Sequence, residues 1–298
     1  MKASSDGSGS LLRSASVSLL VVLGLSGCAT SNRAEILEDS AQAGFERATV
    51  DAAGFELTVF KRIDSAAQLL VVYIEGDGRA WLSKRMPSAD PTPQEPVALR
   101  LATADSAAAI LYLARPCQYL TRPALADCAQ RYWTSHRYSS EVIDAMNSAI
   151  DQIIAGSGLA GESLAVGLIG YSGGGSVASL IAARRHDVVW LVTVAANLDH
   201  ATWTRMHNVS QLSGSLNATD VARQLATLPQ VHLVGGRDRV VPKTVVQSFI
   251  DRQGENTRAK LTVVPGFDHH CCWHRRWPQI ACQSLRPLLT DDNDWCRQ

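Results

Sequence analysis

Leu164-Ala165-Val166-Gly167-Leu168-Ile169-Gly170-Tyr171-Ser172-Gly173-Gly174-Gly175-Ser176-Val177-Ala178-Ser179-Leu180-Ile181-Ala182-Ala183 decides how this chain folds. Its first six residues form an uncharged apolar run, the signature of a strand covered on both faces. Its last eight place small and apolar residues in a helical pattern. Between them stands Gly170-Tyr171-Ser172-Gly173-Gly174, a G-x-S-x-G pattern. A strand that turns directly into a helix puts Ser172 on a sharp corner, where flanking side chains would run into neighbouring backbone, so glycines are needed there. The helix that follows aims its positive N-terminal end at the serine, and the N–H of Gly173 is available to an oxyanion.

Working outward, apolar runs alternate with amphipathic stretches along the whole chain. Strands are expected at about residues 55–60, 69–74, 108–114, 164–170, 188–194, 231–234 and 261–264. Helices are expected at 95–103, 140–154, 174–185 and 273–289, the second capped by Ser139 or Ser140 with Glu141 in its first turn. Residues 83–96, rich in proline and polar groups, read as a loop. Residues 198–228 read as a small insert that covers the site without amounting to a lid domain. The predicted fold class is α/β, a mostly parallel central sheet with helices on both faces. The 28 basic residues balance the 28 acidic ones, which removes the charge-based case for a nucleic-acid partner.

A serine is a poor nucleophile at neutral pH unless a base takes its proton and an acid orients that base. The acid candidate is Asp238, where Val231-His232-Leu233-Val234 runs into Gly235-Gly236-Arg237-Asp238 and then Val240-Val241-Pro242. Asp199, just past another expected strand, is the runner-up. The base candidate is His269, three residues after Gly266 at the end of the last strand, with His270 beside it. A second oxyanion donor belongs on the turn after Val71-Val72-Tyr73-Ile74, at the backbone of Asp77 or else Gly78.

Taken together, the serine elbow, the acid loop and the base loop, in the order Ser, Asp, His, resemble the serine hydrolases of the α/β-hydrolase superfamily. The resemblance spans about residues 50–290. It implies an acyl-enzyme mechanism with Ser172, Asp238 and His269 as catalytic residues, and Gly173 and Asp77 as the oxyanion hole. No metal and no organic cofactor are implied, and the substrate is a small-molecule or lipid ester, or else a thioester or amide. One departure stands out: Glu75-Gly76 occupies the place where the commoner pattern has His-Gly. The acidic Glu75 and Asp77 must then turn away from the oxyanion or be held by Arg79 or another cation. Acyltransferase activity, or a non-catalytic role as an envelope binding module, are the rival readings. The stretch Arg115-Pro116-Cys117-Gln118-Tyr119 and the region around Trp133 and Thr134 are not general features of the superfamily. They line the substrate pocket or pin a surface loop.

The N-terminus reads as an address. Lys2 and Arg13 precede an apolar run from Val17 to Leu25, too short to span a bilayer, which ends in Leu25-Ser26-Gly27-Cys28. This resembles a bacterial lipobox, implying a signal peptide over residues 1–27, lipidation of Cys28, a tether over 28–45 and the hydrolase domain over 46–298. Ala29 after the cysteine resembles the sorting pattern for the outer membrane, with the enzyme facing the periplasm and held to the membrane by its lipid. Without Cys28, six cysteines remain: Cys117, Cys128, Cys271, Cys272, Cys282 and Cys296. In an exported chain an even set favours disulfides. Cys117 and Cys128 are the natural local pair, and adjacent Cys271 and Cys272 are expected to bond to different partners. No C-x-x-C pair points to a metal site. Oligomeric state is not legible.

Overall fold

The computed structural model describes residues 32–159 and 164–285. The segment expected to be a signal peptide (residues 1–27), Cys28 and Cys296 lie outside the described residues. In chain order the elements begin with helix α1 (Asn32–Gln42) and strands β1 (Glu46–Ala52), β2 (Phe55–Ile63) and β3 (Leu69–Ile74). A short hairpin of β4 (Trp81–Ser83) and β5 (Met86–Pro87) leads to α2 (Val97–Thr103), β6 (Ala109–Leu113), α3 (Arg122–Asp127) and α4 (Ser140–Gly156). Then follow β7 (Ala165–Tyr171), α5 (Gly173–Ala182), β8 (Val188–Val194) and α6 (His200–His207). The chain goes on through β9 (Gln230–Gly235), α7 (Lys243–Asp251), β10 (Ala259–Val264) and α8 (Trp277–Leu285).

Eight strands form one sheet in the order β1-β2-β6-β3-β7-β8-β9-β10. Only the β1–β2 and β2–β6 pairings are antiparallel, so the mostly parallel α/β sheet predicted from sequence is what forms. Two separate cores cover its faces, because side chains along a strand alternate sides. Leu70, Val72 and Ile74 of β3 pack with α4 and α5 residues on one face, and Val71 and Tyr73 pack with α2 residues and Trp277 on the other. Helix α4 shows why its sequence is helical. Val142, Ile143, Met146, Ala149, Ile150 and Ile153 make one buried stripe, and the Ser139 hydroxyl caps the start by accepting from Val142 N.

The strand order fixes where a site can form. From β3 the chain crosses to β6 on one side, while β7 lies on the other side of β3. The crossovers therefore part between β3 and β7 and leave a crevice at the carboxyl ends of those strands. The Glu75–Gly78 turn and Ser172 both stand at that crevice.

Several expectations are corrected. Residues 32–42, expected as part of a polar tether, are helix α1, whose Ile36 is buried against the α2 side of the sheet. With mostly polar residues around that one stripe, the helix gives a weak sequence signal. The final helix starts later than residue 273, with a 3₁₀ turn (His274–Arg276) ahead of α8. The 83–96 loop opens with the β4–β5 hairpin, and α3 and α7 fill stretches where no helix was expected. The 198–228 insert carries α6 and a 3₁₀ segment (Ala218–Leu225). Cys117 and Cys128 have their Cα atoms 5.8 Å apart and their sulfurs at bonding distance. Cys271 and Cys272 meet each other rather than separate partners, because the chain doubles back at Cys272, φ 80°. Among the described residues no helix is long and apolar enough to cross a membrane.

Candidate active site

Ser172 sits on the corner that its sequence demands. Strand β7 ends at Tyr171, α5 begins at Gly173, and Ser172 between them has φ 51° and ψ −121°. A non-glycine residue held there stores a strain of about 1–3 kcal/mol. Backbone bonds hold it. Ser172 N donates to Val194 O at 2.9 Å, and Ser172 O accepts from Gly175 N and Asn197 N, each at 3.1 Å. The glycines on either side are steric requirements: a Cβ on Gly170 would lie 2.4 Å from Gly174 O, and one on Gly174 would lie 2.3 Å from Ile74 O.

The two partners arrive from the loops after β9 and β10. His269 Nε2 is 3.0 Å from Ser172 Oγ, and His269 Nδ1 is 2.9 Å from Asp238 Oδ2. The other oxygen of Asp238 accepts from Val240 N and Val241 N at 2.8 Å each, so the carboxylate is fixed by its own loop before it meets the ring. A carboxylate accepting from Nδ1–H keeps the ring proton on Nδ1 and leaves the Nε2 lone pair facing the serine hydroxyl. The backbone of His269 is pinned too, since its carbonyl accepts from Tyr171 Oη at 3.0 Å and Trp273 Nε1 at 3.2 Å.

The runners-up are placed elsewhere. His270 turns its Nδ1 to Tyr171 Oη at 3.1 Å, and its ring is exposed. Asp199 caps α6, accepting from Thr202 N at 3.0 Å and Thr202 Oγ1 at 2.6 Å, and from Asn217 and Ser248. Burial pushes the Asp199 carboxyl up, but those hydrogen bonds outweigh it and bring it down to about 2.

On the opposite side of Ser172 lies the turn after β3. The cation expected to hold Asp77 is not Arg79, which is exposed, but a buried pair: Arg115 Nη1 at 3.2 Å and Arg137 Nη1 at 2.7 Å, with Tyr138 Oη donating at 3.0 Å. Burial alone would raise the Asp77 carboxyl, and the Arg137 and Arg115 guanidiniums overcome it and hold it below its usual range. Glu75 turns inward to accept from Gly76 N at 2.8 Å and Tyr112 Oη at 3.2 Å, and burial pushes it up to about 7. Arg115 falls in the stretch singled out in the sequence. Arg137, Tyr138, Tyr171 and Trp273 were missed as supporting groups, and only the cluster of aromatic and basic residues around Trp133 hinted at the first two.

A cleft of about 520 Å³ opens over Ser172 and His269, walled by Trp81, Pro93, Trp203, Val240 and Val241, with Arg137 and Asn197 lining it too. Among the described residues no three His, Cys, Asp or Glu side chains converge as a metal site would require.

The fold has counterparts among solved structures. An esterase of Pyrococcus furiosus superposes with a TM-score of 0.58 at 15% identity, over 83% of this chain and 93% of that one. A lidless α/β serine hydrolase of Xanthomonas campestris gives 0.53 at 15%, over 84% and 97%. An α/β serine hydrolase homologue from Coxiella burnetii gives 0.51 at 14%, over 82% and 97%. The fold is that of the α/β-hydrolases. At the level of sequence no protein-family model matches, and neither does any curated protein. Within the α/β-hydrolase fold, the crevice between β3 and β7 is where the elbow serine and the β3 turn face each other.

Proposed function

We propose that this protein is a serine hydrolase that cleaves a carboxylic ester through an acyl-enzyme. The observation that carries the reading is the unbroken relay from Ser172 Oγ to His269 Nε2 and from His269 Nδ1 to Asp238, at 3.0 and 2.9 Å. Ser172 Oγ attacks the ester carbonyl carbon while His269 takes the hydroxyl proton, and Asp238 stabilises the resulting imidazolium. The carbonyl oxygen becomes an oxyanion held by the N–H groups of Gly173 and Asp77. The C–O bond to the alcohol breaks, and His269 returns the proton to the departing oxygen. Water then repeats the sequence to free the acid. The steps use side chains and backbone of this chain alone. The open cleft gives water free access, which favours water over an alcohol as the acceptor, and structural neighbours described as esterases and serine hydrolases support the class.

A fluorophosphonate probe tests the reading. The wild-type protein is expected to be labelled and to hydrolyse short chromogenic esters, and Ser172→Ala to do neither. Folded wild-type protein that takes no label would point to a binding module instead.

We further propose, from the lipobox-like stretch Leu25-Ser26-Gly27-Cys28, that the enzyme sits in the bacterial envelope, lipidated at Cys28 and facing the periplasm, with disulfides formed in that oxidising compartment. Several acyl chains on one cysteine anchor a protein stably, because each buried CH₂ contributes about 0.8 kcal/mol. Cells fed an alkynyl palmitate are expected to label the wild-type chain and not Cys28→Ala; equal labelling of both would refute the anchor.

A further inference from the structure

Asp77 is an odd residue to find beside a developing negative charge. Its carboxylate stands on the turn that also supplies an oxyanion donor, and yet it stays ionised. The structure shows three things about how it is held.

The first is that both oxygens of the carboxylate are held, by two guanidiniums and a phenol hydroxyl that sits within reach of each. Oδ1 accepts from Arg115 Nη1 and from Tyr138 Oη, each at 3.2 Å. Oδ2 accepts from Arg137 Nη1 at 2.7 Å and from Tyr138 Oη at 3.0 Å. Arg115 in turn donates to the carbonyl of Arg137 and lies 5.3 Å over the Tyr138 ring, so the two cations brace each other. The second is contact with the other oxyanion donor. A Cβ built on Gly173 would fall 2.1 Å from Asp77 Oδ1 and 2.6 Å from Tyr138 Oη. The carboxylate is therefore packed directly on the Cα of Gly173. The third concerns the peptide between Gly76 and Asp77. Its carbonyl accepts from Gln118 Nε2 at 3.1 Å, and Gln118 is itself buried and fixed through Arg115 N. A peptide unit is planar and trans, so anchoring the Gly76 carbonyl sets the direction of the Asp77 N–H on its far side. That N–H makes no hydrogen bond with any described residue.

We propose that Asp77 and Gln118 are positioning residues that aim the two backbone donors of the oxyanion hole, the carboxylate by bracing Gly173 and the amide by fixing the Gly76–Asp77 peptide. The inference rests on the hydrolase reading of Ser172. The charge balance agrees with it: two guanidiniums against one carboxylate leave the cluster with a net positive charge, so Asp77 costs the oxyanion nothing it is not repaid for by Arg115 and Arg137. The cluster hangs on the segment between β6 and α4, whose Cys117 and Trp133 form a small core with Ala80 from the turn after β3.

The test compares turnover with affinity for a trifluoromethyl ketone, whose adduct on the serine places an oxyanion in the hole. Misaiming a donor costs up to about 100-fold in rate, so Asp77→Ala is expected to lower kcat by about that factor with KM within about twofold. Ketone affinity should fall by the same factor as kcat/KM, and Asp77→Asn should recover most of both. Asp77→Ala leaves two buried guanidiniums without their counter-ion and is liable to unfold. Gln118→Met leaves that ion cluster whole and is expected to lower kcat and ketone affinity together by about 10-fold. A folded Gln118→Met protein with wild-type kcat and wild-type ketone affinity would overturn the proposal, as would parallel loss of KM and stability with ketone affinity intact. Phosphonate labelling of Ser172 in the wild type separates the two failures: without it the hydrolase reading falls, and with it only the positioning role does.

Discussion

The two sides of Ser172 solve opposite problems with the same side-chain chemistry. On the base side, Asp238 meets one imidazole and two backbone N–H groups, and all its partners lie within 31 residues of it in sequence. On the oxyanion side, Asp77 meets two guanidiniums and a phenol 38 to 61 residues away, and its neighbour Glu75 meets no cation among the described residues. The outcome differs accordingly: cations hold the Asp77 carboxyl low, while burial among neutral donors lifts Glu75 to about 7. A carboxylate's role here is set by what faces it and not by its distance from the serine.

The largest effect that would break this comparison lies on the base side. His269→Ala is expected to lower kcat/KM by at least about 10³-fold with the fold intact. His270→Ala is expected to stay within about 10-fold of wild type, since its ring points to Tyr171 rather than to Ser172. Steady-state kinetics on one chromogenic ester decides it, and the reverse pattern would move the base to His270. A second contrast uses the two aspartates. Asp238→Ala is expected to cost up to about 10⁴-fold in kcat/KM. Asp199→Ala should instead cost about 1 kcal/mol or more of stability through the lost cap on α6, with turnover retained. Urea melts and kinetics on both variants would expose a mistake if the two profiles exchanged.

The smallest effect sharpens the oxyanion side. Because the folded-state pKa of Glu75 is raised above its ordinary value near about 4.3, its contribution to stability is complete below that value and is lost as pH rises through about 7. Asp105, lifted to about 6 by burial, acts in the same direction, so the wild type alone does not isolate Glu75. Melting temperatures of wild type and Glu75→Gln are expected to diverge in favour of the variant by about 4–8 °C between pH 5.5 and 8.5. A difference that stays level across that range would mean Glu75 is not the group titrating.

Much of the architecture was legible because it is local. Strand–turn–helix around Ser172 follows from an apolar run, obligatory glycines and a helical pattern in consecutive residues, and the loops of Asp238 and His269 each follow a recognisable strand. Helix α1 was not legible, since one buried isoleucine among polar residues resembles a tether until Ile36 finds its groove. The pairing of Cys271 with Cys272 was misjudged because it depends on a local backbone conformation, with Cys272 at φ 80°, that the sequence does not signal. Asp77 drew attention as a misplaced charge, and its counter-ions came from a loop that the sequence marked only as unusual.

By itself, then, the order of residues determined which side chain stands on the strained corner, which strands are buried on both faces, and which loops carry an acid and a base. Only the tertiary structure put the His269 ring beside Ser172 and that of His270 beside Tyr171, sent Asp199 to a helix cap, and gave Asp77 to Arg115 and Arg137. The reason is physical. Turn geometry and hydrophobic periodicity act over a few bonds and are written in adjacent residues, whereas an ion pair or a hydrogen bond depends on ångström distances between segments that only the packed sheet brings together.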